Sequence, residues 1–132
     1  MTLHSTAVTA DMAGVRERTL LQWASDGVIR PAIRTAGKVY WSDQNVRTVR
    51  VLNAMRPTVR RLEVLAVAAA ALEHAKWENQ MLVWSTEPIA AHVVDEAEFC
   101  DFAYWEPRCW SVLHLEPFTR TDLTNCVISG TV

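Results

Sequence analysis

Glycine is scarce in this 132-residue chain, with four in all, and the scarcity bears first on nucleotide chemistry. No glycine-rich run is available to cradle a phosphate, and neither a nucleophile elbow nor a zinc-hydrolase histidine pair is present, so an enzyme is not expected. Cysteine is also sparse. Cys100, Cys109 and Cys126 are odd in number and lack framework spacing, which points to a reducing compartment and a cytoplasmic location. With His114 they form a series separated by eight, four and eleven residues, which matches no compact zinc pattern, so neither a metal nor another cofactor is expected. Cys100 reads as an ordinary buried thiol on the apolar side of a short helix. The longest apolar run, Val64–Leu72, is nine residues, less than half a membrane span, so no membrane partner is expected. The first ten residues lack the basic start and apolar run of a signal peptide.

What is present is a folded composition with an uneven charge. Half the residues are hydrophobic and 21% are charged, enough for one core or two small subdomains sharing a junction. The overall charge of −2 conceals an asymmetry. Residues 1–61 hold ten basic groups against four acids, a net +6, whereas residues 62–132 hold three against eleven, a net −8. A basic half suited to a polyanion is thereby joined to an acidic half with other work.

Local signals divide the chain further. Ser5 or Thr6 caps a short helix through Ala13, which Gly14 ends. A second helix runs from about Arg16 to Ser25, with Val15, Thr19, Leu20 and Trp23 inward and Arg16, Glu17, Arg18, Leu21 and Gln22 outward. Asp26-Gly27 marks a turn, Val28 and Ile29 plug the core, and Pro31 prevents helix from resuming. Residues 33–41 read as a hairpin with Gly37 at its tip and Arg34 and Lys38 close by. Ser42 caps a third helix that carries Arg47 and Arg50 on one face. A fourth helix, about Thr58 to Glu78, is apolar on every side between Val64 and Leu72. Such a helix must be covered all round. Beyond Asn79 the period becomes two: a hairpin over Met81–Trp84 and Ile89–Val94, a short helix from Asp95 to about Trp105, then a strand at Trp110–Leu115. Thr121–Val132 is weakly patterned.

The ordered set of these pieces resembles a known family. Ser5–Val15 is similar to the first helix and turn of MerR-type and excisionase-type domains, and Arg16-Glu-Arg-Thr-Leu-Leu-Gln-Trp23 to their recognition helix. Asp26–Pro31 resembles the turn into the wing, and Gly37-Lys-Val-Tyr-Trp-Ser42 resembles the wing and the serine before the third helix. The resemblance covers residues 5–55 and, together with the patterning beyond them, gives the expectation of an α+β protein in three parts. These are a winged helix-turn-helix over residues 1–56, a linking and dimerisation helix over 57–78, and an acidic ββαβ-like subdomain over 79–132. It implies double-stranded DNA as partner, read by Arg16, Glu17, Arg18 and Gln22 in the major groove, with Arg34, Lys38 and Arg47 on phosphates. Leu21 and Val39 depart from the family, whose members often carry arginine there.

The all-round apolar fourth helix gives the expectation of a homodimer, with Leu62, Ala66, Ala69 and Leu72 at the seam, helped by Trp77 and Trp84, and the resemblance points the same way. The role expected is a repressor-like transcriptional regulator. The alternatives are an excisionase-like architectural factor, a phage packaging recognition subunit, or an adaptor that binds a protein through its acidic, aromatic second half.

Overall fold

The computed structural model describes residues 2–119. The weakly patterned segment 121–132, with Cys126, lies outside the described residues. The chain is mixed α+β, with two three-stranded antiparallel sheets and five helices among the described residues.

Helix α1, Thr6–Ala13, starts where the Ser5 hydroxyl accepts from the Val8 amide at 3.2 Å. It ends at Gly14, whose φ of +75° is the left-handed conformation that glycine adopts without a Cβ penalty. Helix α2, Glu17–Ser25, buries Leu20, Trp23 and Ala24. Val28 and Ile29 follow it into the core at 4% and 6% exposure. Strands β2 (Ile33–Thr35) and β3 (Lys38–Ser42) form a hairpin, and a short strand β1, Leu3–His4, joins the other edge of β3. Helix α3, Asp43–Met55, begins with a capping box between Ser42 and Asn45. Ser42→Ala is therefore expected to cost about 0.5–2 kcal/mol of stability in chemical denaturation.

The fourth helix is shorter than its composition suggests: α4 spans Leu62–Leu72, not Thr58 to Glu78. At its start, the Val59 amide bonds back to the Met55 carbonyl at 2.9 Å, closing the preceding helix and burying Val59. At its end, the Gln80 side chain accepts from the Lys76 and Trp77 amides at 2.7 and 3.1 Å, turning the chain into strand β4. Strand β4, Gln80–Thr86, is central in the second sheet, between β5 (Ile89–Asp95) and β6 (Ser111–His114). A 3₁₀ turn at Glu96–Glu98 and helix α5, Phe99–Trp105, occupy the connection from β5 to β6.

Helix α4 packs on α3, β4 and β5, so Val64, Leu65, Ala68, Ala69 and Leu72 are buried within their own chain. Two of the four residues expected at a two-fold seam therefore pack inside their own chain. Leu72 is 0% and Ala69 5% exposed, Ala66 is half-buried, and Leu62 alone of the four is exposed, at 41%. Trp77 and Trp84 are core residues as well, and the Trp77 indole donates to Gln44 at 3.2 Å. The second sheet supplies the cover that the apolar cylinder requires. Ala69→Glu is thus expected to lower stability by about 2–4 kcal/mol. Its thermal midpoint should fall by the same amount at every protein concentration, which melting over a hundredfold dilution series would show.

Candidate nucleic-acid interface

Helix α2 presents two unlike faces because its apolar residues recur at helical spacing. Leu20 and Trp23 point inward, whereas Glu17, Arg18, Leu21 and Gln22 are exposed. Arg16 is also exposed, but it stands before the first turn as the N-cap residue, and no side chain caps that end. The residue therefore stands next to the first amide groups of the helix, which have no intrahelical acceptor and suit an anion. Glu17 makes no ion pair with Arg16 or any other described residue. The Gln22 amide donates to Asp26 at 2.9 Å, which steadies the side chain. Its oxygen and second N–H remain open, the pair that the adenine N6 and N7 positions require. Leu21, 46% exposed, places an apolar surface among these polar groups, where a thymine methyl is the complementary base feature.

The hairpin divides its two cations. Thr35 pairs with Lys38 and Arg34 with Val39 across a two-residue turn, so Lys38 and Arg34 lie on opposite faces of the ribbon. Val39 packs toward the core, and Arg34 on its side lines a groove facing α4. Lys38 is exposed on the outer face with Thr35. Both cations lie near the tip, as expected, but on opposite faces of it. Arg47 is half-buried along α3, and its Nε is enclosed with no hydrogen-bond partner among the described residues. Only its terminal nitrogens are open to a phosphate.

Several of the basic residues have other partners. The Arg56 guanidinium lies 5.6 Å from the centre of the Trp23 ring. Arg61 pairs with Glu63 at 2.8 Å, and that hydrogen bond holds the Glu63 carboxyl below its usual range. On the acidic side, the Asp43 carboxylate accepts from the His4 imidazole at 2.6 Å, and Asp26 accepts from Gln22. Arg16, Arg18, Arg30, Arg34, Lys38 and Arg60 remain exposed and without an ion pair among the described residues. Positive potential therefore survives folding on this half. Arg30 and Arg60 carry no assignment from the residue pattern, since nothing in their spacing distinguishes them from other surface arginines.

Beyond α4 the exposed features differ. His92 meets Phe102 and Trp110 edge to face and those two rings are tilted against each other, with ring centres 5.1–5.8 Å apart, and Tyr104 and Trp105 are 75% and 76% exposed. Cys100, expected to be buried, is an exposed free thiol like Cys109, because α5 turns it outward from β5. No helix among the described residues is long and apolar enough to cross a membrane.

A comparison with curated proteins returns no significant match. Residues 5–63 match the family model described as MerR HTH family regulatory protein, a span that takes in α1, α2, the hairpin, α3 and the start of α4. This segment of the chain is accordingly similar to the helix-turn-helix of the MerR family of regulatory proteins.

Proposed function

We propose that the protein is a sequence-specific double-stranded DNA-binding regulator that acts in a repressor-like way, by occupying its site. The observation that carries this reading is the outward face of α2. Arg16, Glu17, Arg18, Leu21 and Gln22 are all solvent-exposed within the segment matched to the regulatory family. In this reading α2 enters the major groove, and the hairpin serves as a wing with Lys38 on the adjoining backbone. Arg16 holds a phosphate at the helix start, while Arg18 and Gln22 read bases. The arrangement needs no second copy at α4, where Ala69 and Leu72 are already covered.

Arg18→Ala and Gln22→Ala should each leave the fold intact and weaken binding to a site selected from random DNA by about 1–3 kcal/mol. Fluorescence anisotropy against the selected site and a scrambled duplex gives the loss. Unchanged affinity in both variants would remove α2 from the groove. A second reading, a protein partner held by the acidic second half, is favoured by the exposed Tyr104 and Trp105. Under it, the Tyr104→Ala/Trp105→Ala variant loses the partner and keeps full DNA affinity.

A further inference from the structure

Between the helix-turn-helix and α4 lies an open groove of about 390 Å³, within the range of small-molecule sites. Its floor is apolar and closely packed: Val28, Ile29 and Ala69 are 4–6% exposed. Its walls are held in place. The Asn45 amide donates to the Arg30 carbonyl and its oxygen accepts from the Ala32 amide, both at 3.0 Å, so the strap entering the hairpin is pinned to α3. Gln44 donates to the Leu72 carbonyl at 3.1 Å and accepts from the Trp77 indole, which fixes the end of α4 to the same helix. Both carboxamides that line the groove are thus occupied by structural bonds. Its ionic groups are different. The Arg30 and Arg34 guanidiniums make no ion pair among the described residues, and both line the groove. They face one carboxylate, Glu73, on the α4 side. The lining is therefore net positive over an apolar floor.

We propose that this groove binds a small amphipathic carboxylate, with its apolar body on the Val28–Ile29 and α4 side and its carboxylate on Arg30 and Arg34. Arginine forks match carboxylates in geometry and charge, while the apolar floor excludes inorganic anions as full occupants. The ligand is also antagonistic to DNA, a consequence that rests on the reading given under Proposed function. Arg34 stands on the hairpin as one of the exposed cations without an ion pair that are available to phosphate on this half, and one guanidinium cannot serve a phosphate and a ligand at once. Coupling of this kind is reciprocal, so DNA must weaken the ligand by the factor with which the ligand weakens DNA.

The test uses the full chain and 3-phenylpropanoate as probe, with 3-phenylpropan-1-ol as its neutral counterpart. Titration followed by amide NMR, without DNA, should give saturable shifts at 27–34 and 66–73. The alcohol should bind about tenfold more weakly or worse, and Arg34→Gln should cost the acid a similar factor. Ala70→Trp, at an exposed position on the rim of the groove, should abolish the shifts and leave the melting temperature in place. Absence of saturable shifts, shifts elsewhere, or equal binding of acid and alcohol would overturn the site. So would a sedimenting dimer that Ala70→Trp converts to monomer, because a second copy would then be the occupant. With DNA added, saturating probe should reduce affinity about tenfold in the parent chain and not in Ala70→Trp. Probe binding with DNA affinity unchanged overturns the antagonism and leaves the groove. A chain that binds no DNA at all fails the earlier reading while the DNA-free titration still decides this one.

Discussion

Replacing Trp41 with alanine is expected to remove about 3–5 kcal/mol of folding stability, a large share of what a domain this size possesses. Trp41 is fully buried on β3, the central strand of the first sheet, and pairs with His4 of β1. Its indole donates to the Thr6 hydroxyl at 3.1 Å, so the same side chain ties the sheet to the first turn of α1. Alanine would leave a cavity where strand, α1 and α3 converge, and the Thr6 hydroxyl would lose its donor. Phenylalanine would keep much of the volume and lose the hydrogen bond, so Trp41→Phe should cost much less than Trp41→Ala. Urea unfolding followed by circular dichroism separates the two. Equal losses in both variants would mean that the hydrogen bond dominates over packing.

The elements that could be read directly from residues are those whose signals are local. Ser5, Gly14, Gly37 and Ser42 each specify a cap or turn within a few positions, and α1, α2, the hairpin and α3 start and stop beside them. Strand β1 is two residues long, too short to show any period, and exists because Leu3 and His4 find the free edge of β3. The cover of α4 is a long-range matter. An alanine-rich cylinder states that it must be buried, but the choice between a second copy and the chain's own β4–β5 sheet lies some twenty residues downstream. The face of Arg34 follows from parity, yet only once the loop is known to hold two residues, Ala36 and Gly37. The exposed side of α2 was legible because Leu20 and Trp23 announce the inner face. What the outer residues touch is set by a ligand that leaves no imprint on the spacing.

DNA affinity is expected to fall by about 10²–10³ between 50 and 200 mM salt, on the basis of roughly five phosphate contacts and counterion release. The estimate starts from the cations that folding leaves exposed and without an ion pair among the described residues: Arg16, Arg18, Arg30, Arg34, Lys38 and Arg60. Arg56 and Arg61 are omitted because Trp23 and Glu63 engage them. If Arg18 reads a base, about five remain for the backbone. Each that is removed should flatten the log–log slope by about 0.9, so Lys38→Ala and Arg16→Ala together should lower it by nearly two. The acids of the second half make the complementary case. Residues 62–132 carry a net −8, and duplex passing near α5 would meet Glu98 and Asp101, both exposed. Orientation of that surface away from DNA therefore predicts that Glu98→Lys/Asp101→Lys leaves affinity and slope nearly unchanged, although it adds four units of positive charge. A marked gain in affinity for that variant would place the acidic surface against the duplex and would require a different docking of α2. Anisotropy titrations at four salt concentrations, on the selected site and on a scrambled duplex, measure the slope and separate phosphate contacts, which weaken both, from base contacts, which weaken only the first.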